Sequence, residues 1–139
     1  DLPKVKCLLP AALFLKAKHV ISECSRVMEA AEALTRDDLV RVGQLLQASH
    51  QSLSHDFEVS CAELDFLAQE VNSMEGVLGA RMMGGGFGGC TINLISKTET
   101  TSFKAFISEA YKEKFNNACS IYSVKLSNGT HLITNSIEV

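Results

Sequence analysis

The sequence predicts an α+β fold in which helices pack on one face of a mainly antiparallel sheet. Apolar residues recur at helical spacing through the first half of the chain. In the second half, short β-branched segments flank a glycine-rich loop, and Asn128-Gly129 is a strong two-residue hairpin signal. Of the 139 residues, 46% are apolar and 21% are charged. We therefore expect one globular domain over residues 1–139 with its own core.

Two long helices are predicted first. Apolar side chains at helical spacing predict a helix over residues 11–34, and Pro10 precedes it, where a helix start tolerates proline. Thr35 is expected to cap a second helix, with Asp38 three residues later as in a capping box. That second helix is expected to bury leucine and valine side chains as far as Leu53.

A third helix leads into the β-rich half. Residues 60–63, Ser-Cys-Ala-Glu, match a capping box and predict a helix that runs through Met74 and is ended by Gly76. Strand, glycine loop, strand, helix and hairpin follow. The predicted bounds of the two strands, the fourth helix and the two hairpin strands are 77–83, 91–95, about 100–115, 120–126 and 131–133.

Composition excludes several classes of protein. The net charge is −3 without a basic block, which predicts no nucleic-acid binding. No apolar run approaches the roughly 20 residues of a membrane span. Five widely spaced cysteines without a C-x-x-C pair predict reduced thiols and a cytoplasmic location. The N-terminus lacks both a secretory signal pattern and an initiator Met, so we expect a piece of a longer protein.

The densest feature is the segment 84–89, which holds five of the nine glycines. Glycine reaches positive φ without steric cost and lets another backbone or an anion approach closely. The cluster therefore predicts a tight loop whose amides hold phosphate or brace a loop that does. We predict no catalytic residue and no metal ligand in this chain. The predicted phosphate-side loop is Gly84, Gly85, Gly86, Phe87, Gly88 and Gly89, with Arg81 and Met83 flanking it.

Generic glycine-loop families fit this segment poorly. A dinucleotide fingerprint needs a helix after the loop, whereas residues 91–95 are typical of a strand. A Walker A loop needs Gly-Lys-Ser/Thr, and the chain has Gly89-Cys90-Thr91 instead. A protein-kinase loop would be accompanied by motifs that are missing here. A bare hairpin turn needs only two residues, so six are excessive.

The neighbouring side chains leave alternatives open. Arg81 either anchors the loop, binds a domain-facing carboxylate or lies solvated on its strand. Phe87 is interpreted as a packing wedge that fixes the loop, with base stacking as the alternative. Met83 is interpreted as a core side chain. His50 and His55 are five residues apart, which does not place them on one helical face, so no metal pair is predicted.

Three segments resemble signature segments of the galactokinases, which are members of the GHMP kinase superfamily. Residues 78–91, LGARMMGGGFGGCT, resemble the third signature motif of that family. Residues 16–23, KAKHVISE, resemble its R-A-R-H-V-x-x-E helix. Residues 49–65 resemble its S-H-x-S-L-R-D-D-Y-E-V-S-C-x-E-L-D segment. The three matches occur in order and together cover about residues 16–95.

The resemblance implies a ferredoxin-like C-terminal domain of a kinase that moves the γ-phosphoryl group of ATP to the anomeric hydroxyl of galactose, with Mg²⁺. In that family the sugar-binding segment, the phosphate-binding loop and the catalytic Asp and Arg lie in the N-terminal domain. The implied partners are therefore that N-terminal GHMP kinase domain and galactose, without nucleic acid or membrane. This chain alone is expected to hold no cofactor tightly and to be inactive.

The chain departs from the family pattern at two places. Met83 stands where the family usually has Thr, and residues 54–57, Ser-His-Asp-Phe, stand where it has Arg-Asp-Asp-Tyr. Two alternatives stay open at this point. One is a stand-alone α+β binding module whose loop holds a small anion. The other is a GHMP kinase with another acceptor, such as N-acetylgalactosamine.

Overall fold

A computed structural model describes Lys4, residues 6–125 and Gly129. Its four long helices and one two-stranded antiparallel sheet confirm the predicted α+β class. A π-helix, Leu53–Phe57, continues the second helix, and a short 3₁₀ helix, Lys97–Glu99, precedes the last one. In chain order the main elements are α1 (Ala11–Thr35), α2 (Leu39–Ser52), α3 (Ala62–Asn72), β1 (Val77–Met83), β2 (Cys90–Ile95) and α4 (Thr100–Phe115).

The core lies between the sheet and helices α3 and α4. Strands β1 and β2 pair antiparallel, from Met83 opposite Cys90 to Val77 opposite Ile95. Along β1, Ala80 and Met82 are fully buried, as expected for alternate residues that face one side of a sheet. They belong to two apolar clusters, one formed by Val71, Ala80, Phe103 and Ile107, the other by Leu53, Leu64 and Met82.

Helix α2 packs against β1 so closely that only glycine fits at the contact. A Cβ on Gly43 would lie 2.0 Å from the Leu78 carbonyl oxygen, and one on Gly79 would lie 2.1 Å from the Gly43 carbonyl oxygen. Further along α2, Gln47 Nε2 donates to the Leu78 carbonyl at 3.4 Å. His50 Nδ1 accepts from the Met82 amide at 3.2 Å. These side chains pair backbone groups of β1 that a two-stranded sheet leaves open.

The predicted start of α2 is wrong by three residues. Thr35 belongs to the last turn of α1, where its hydroxyl donates to the Glu32 carbonyl, so it is not available as a cap. Asp38 is the N-cap instead, and its carboxylate accepts from the Arg41 amide at 2.9 Å. A short acidic side chain directly before the first helical residue is a favoured cap.

The predicted capping box of α3 is also wrong. Cys61, in an extended conformation, is the N-cap and makes no side-chain cap bond. Ser60 therefore lies one residue too early, and its buried hydroxyl has no hydrogen-bond partner. The helix ends at Asn72 rather than at Met74, and Gly76 then takes a φ of +78°.

The predicted C-terminal hairpin is not seen in the described residues. Residues 120–125 form no strand there, because no neighbouring strand pairs with their backbone. Leu126, the turn residues 127, 128 and 130, and the second strand at 131–133 lie outside the described residues. No helix in the described part of the chain is long and apolar enough to cross a membrane.

Candidate functional site

The glycine loop owes its composition to its backbone conformation. Five of its six residues have positive φ, a region that costs other residues steric strain. Gly85 is the exception. The φ angles are +86° at Gly84, +87° at Gly86, +59° at Phe87, +135° at Gly88 and +104° at Gly89. The chain therefore passes from β1 to β2 through a run of positive φ angles that ordinary residues would resist.

One side of the loop is braced and the other is open. At the braced side, a Cβ on Gly86 would lie only 2.1 Å from the Val59 carbonyl oxygen. At the open side, a Cβ on Gly84, Gly85 or Gly88 would meet no atom within 4 Å. The amides of those three residues have no hydrogen-bond partner among the described residues. These three glycines thus combine unpaired amides with open space at the Cβ position, which suits the close approach of an anion.

Phe87 does not act as a packing wedge within the described part of the chain. Its side chain is 78% exposed. Its backbone instead fixes the loop, because the Phe87 amide donates to the Val59 carbonyl at 2.7 Å. The residue has φ +59°, and its amide, not its side chain, contacts the segment that precedes α3. The wedge interpretation is therefore wrong for this chain.

A charged cluster lies at the end of β1 that leads into the loop. Arg81 Nη1 donates to Oε1 of Glu23, a residue of α1, at 3.2 Å. Arg81 Nε donates to the Met82 carbonyl at 2.9 Å. Glu23 also accepts from Ser49 Oγ at 2.6 Å and from Arg26 Nε at 2.7 Å. Burial alone would raise the pKa of Glu23, but these hydrogen bonds and the two arginines lower it. Arg81 thus touches a carboxylate of its own chain.

A buried histidine ties α2, α3 and β1 together. His50 Nδ1 accepts from the Met82 amide, so that nitrogen carries a lone pair and the neutral ring holds its proton on Nε2. Nε2 lies 3.2 Å from Asp65 Oδ1, although that oxygen has no hydrogen bond of regular geometry. Ser54 donates to the other Asp65 oxygen at 3.1 Å. Protonation of His50 Nδ1 would place its N–H against the Met82 amide N–H, and the hydrogen bond between them would be lost.

A second buried histidine joins α1 to the end of α2. His19 Nδ1 lies 2.9 Å from Ser52 Oγ, which donates to Asp56 Oδ2 at 3.1 Å. Lys18 closes this group with a 2.8 Å ion pair to Asp56 Oδ1. The His19 ring stacks on Phe57 with centroids 4.7 Å apart. Burial is the largest cause that lowers the pKa of His19, and it likewise lowers the pKa of His50.

These lowered pKa values predict that acid destabilises the fold. An unfolded histidine binds its proton near pH 6.5, whereas His19 and His50 bind theirs at lower pH in the folded chain. Between those values the unfolded state holds more protons, so the free energy of unfolding falls as pH decreases below about 6.5. We expect a Tm several degrees lower at about pH 5.5 than at about pH 7.5.

The matched histidine variants separate this cause from general acid effects. His50→Gln removes one buried titrating ring and should reduce the difference in Tm between the two pH values. His55→Gln removes an exposed histidine whose charge is only one of the smaller causes that lower the pKa of His50, so it should change the difference less than His50→Gln does. Equal pH dependence in the two variants would contradict the assignment.

Sequence reasoning missed most of these supporting side chains. Glu23, Ser49 and His50 looked like ordinary helix residues, and Asp65 looked like a first-turn acid. Only the family resemblance could have pointed to these residues. All four lie inside residues 16–23 or residues 49–65, the two segments that resemble family motifs. Met83, interpreted as core, is 48% exposed because it lies at the end of β1, past the last buried position.

The described residues hold no metal-binding group and offer a shallow groove away from the glycine loop. No group of three His, Cys, Asp or Glu side chains there lies close enough to hold a metal ion. An open groove of about 430 Å³ lies between α1 and α2. Its charged side chains are already paired, Lys18 with Asp56 and Arg26 with Glu23, and it lies apart from the glycine loop.

Comparisons with known proteins place this arrangement in a family. Residues 30–113 match the family model described as GHMP kinases C terminal. A galactokinase of Staphylococcus carnosus is 44% identical over 121 residues, which cover 87% of this chain and 31% of that protein. A galactokinase of Ligilactobacillus salivarius is 43% identical over 118 residues, 85% of this chain and 30% of that protein.

The fold agrees with a solved structure. The crystal structure of Lactococcus lactis galactokinase complexed with galactose matches with a TM-score of 0.79 at 39% identity, over 81% of this chain and 29% of that one. The chain therefore spans about 30% of the length of the curated relatives it matches. Because the family model covers more than half of its residues, the chain belongs to the GHMP kinase C-terminal family.

Proposed function

We propose that this chain is the C-terminal domain of a galactokinase, which transfers the γ-phosphoryl group of ATP to the anomeric hydroxyl of galactose and yields galactose 1-phosphate. The observation that carries the proposal is the glycine loop, braced on one side by Val59 and open on the other. Family membership and the similarity to galactokinases support the same conclusion.

The loop's own contribution is electrostatic. Phosphoryl transfer depends mainly on positioning and on stabilising spread negative charge. Unpaired amides of Gly84, Gly85 and Gly88 suit that task, since backbone N–H groups favour an anion without adding a titrating side chain. Because the φ angles and the Val59 contact fix the loop beforehand, little reorganisation is needed when charge develops.

ATP and Mg²⁺ fit the loop only in part. The open amides would face the phosphates of ATP, whereas the loop and its flanking residues Arg81, Met83 and Cys90 offer no carboxylate for Mg²⁺. When bound, Mg²⁺ neutralises charge on the phosphates. We therefore assign the metal ligands, the galactose site and the catalytic side chains to an N-terminal domain of the same protein. All five cysteines are unpaired thiols, which supports a cytoplasmic enzyme.

A chimera tests the proposal. The matching C-terminal part of Lactococcus lactis galactokinase is replaced by this chain, and ADP release is measured with galactose and with N-acetylgalactosamine. We expect galactose-dependent turnover by the chimera and none by the 139-residue chain alone. The parent enzyme and a version truncated before the replaced part are the controls.

Two outcomes would contradict the proposal. A chimera that unfolds cooperatively and binds galactose but does not turn it over would show that this chain cannot complete the active site. Turnover of N-acetylgalactosamine in preference to galactose, by the chimera but not by the parent enzyme, would favour the alternative acceptor.

A further inference from the structure

The position of the glycine loop depends on one carbonyl group outside it. The Phe87 amide donates to the Val59 carbonyl at 2.7 Å, and Gly86 packs directly against the same oxygen. Val59 precedes α3 and follows the π-helix Leu53–Phe57. Whatever fixes the Val59 carbonyl therefore fixes the middle of the loop.

The Val59 carbonyl is placed by a left-handed turn. Glu58 has φ 61° and ψ 45°, a conformation that is unfavourable for a residue with a side chain. The turn closes when the Val59 amide donates to the Leu53 carbonyl at 3.1 Å. Without other contacts, this residue would favour a right-handed or extended conformation, and the Val59 carbonyl would no longer face Phe87.

Lys16 of α1 contacts both sides of that turn. Its Nζ donates to the Phe57 carbonyl at 2.9 Å and to the Glu58 carboxylate at 3.3 Å. It also lies 5.6 Å from the centroid of the Phe57 ring, a cation–π distance. The Phe57 carbonyl ends a helix and lacks a helical partner, so a lysine is well suited to satisfy it.

We propose that Lys16 is a positioning residue for the glycine loop and acts through the left-handed turn at Glu58. Lys16 makes no bond to the loop itself, and the assignment to catalysis rests on the function proposed above. The order of contacts is Lys16 to Phe57 and Glu58, then Val59 to Phe87. A small misplacement of groups that stabilise charge is enough to slow phosphoryl transfer.

The chain offers a matched control on the same helix. Lys18 is also half-exposed and also pairs with an acid of this segment, Asp56, but it does not bond a backbone carbonyl of the turn. The Lys16–Glu58 ion pair by itself is exposed and expected to contribute little. The bond to the Phe57 carbonyl therefore distinguishes Lys16 from Lys18.

Hydrogen exchange of the Phe87 amide, measured on the 139-residue chain, tests whether Lys16 stabilises the contact between Val59 and Phe87. Lys16→Met is expected to speed exchange at that amide about tenfold, while Lys18→Met leaves it unchanged. In a Glu58→Gly background, where glycine adopts the left-handed turn unaided, Lys16→Met should have a much smaller effect. Equal exchange in the two lysine variants, or an undiminished effect beside Glu58→Gly, would overturn the proposal.

Kinetics of the chimeric kinase test the catalytic step. Lys16→Met is expected to lower kcat about tenfold with little change in the KM for galactose. Lys16→Arg should restore most of kcat, because a guanidinium also donates to a carbonyl and a carboxylate. A kcat equal to that of Lys18→Met would overturn the role in catalysis. An inactive chimera would contradict the proposed function. The hydrogen-exchange result would then decide by itself whether Lys16 stabilises the turn at Glu58.

Discussion

The Gly43→Ala substitution is expected to lower the free energy of unfolding by about 3 kcal/mol, at the upper end of the usual cost of overpacking. The new Cβ would lie 2.0 Å from the Leu78 carbonyl oxygen, 2.4 Å from the Leu78 carbonyl carbon and 2.9 Å from the Leu78 Cβ. Because two of the clashing atoms belong to the backbone, no side-chain rotation could relieve the contact, and α2 or β1 would have to move. For a chain of this size we expect Tm to fall by roughly 10 °C.

The sign of this effect is informative. In an isolated helix, alanine is favoured over glycine by up to about 1 kcal/mol, so the opposite result must come from tertiary packing. Thermal unfolding followed by circular dichroism measures it. Gly85→Ala is the control, because its Cβ would meet no atom within 4 Å. A Gly43→Ala protein as stable as the unchanged chain would contradict the close contact between α2 and β1.

The Gly86→Ala substitution is expected to reduce kcat of the chimeric kinase about 100-fold, as for a displacement of about 1 Å in a positioned group. Gly86 has φ +87°, which costs alanine roughly 1–2 kcal/mol. Its Cβ would also lie 2.1 Å from the Val59 carbonyl oxygen, the acceptor of the Phe87 amide. The loop must therefore move away from Val59, and the open amides would move with it.

The neighbouring glycine again supplies the comparison. Gly85 has no positive φ, and its Cβ would meet no protein atom within 4 Å, so Gly85→Ala should leave hydrogen exchange of the Phe87 amide unchanged. Exchange of the Phe87 amide, measured on this chain, reports the loop movement without assuming any activity. Unchanged exchange and unchanged kcat in the Gly86→Ala protein would contradict the role of the Val59 contact in fixing the loop.

Local patterns predicted the main helices and strands up to residue 115 well, but not the π-helix. The first strand was predicted as residues 77–83 and is Val77–Met83, and the fourth helix, predicted as about 100–115, is Thr100–Phe115. Helix caps were predicted less well. Thr35 and Ser60 both match a capping pattern, but each lies in the wrong register because the adjoining helix or turn extends further than the pattern shows. The π-helix Leu53–Phe57 has no sequence periodicity that distinguishes it from an extension of α2.

The glycine loop itself could be read from the sequence, because a dense run of glycines is needed wherever successive residues take positive φ. The residues on both sides of the loop resemble a family motif, and that resemblance indicated the family. What supports the loop could not be read in this way. Arg81 bonds a glutamate 58 residues earlier, and Lys16 bonds a carbonyl 41 residues later. Such pairs follow from how α1, α2 and β1 pack, and packing brings together residues that no local period relates.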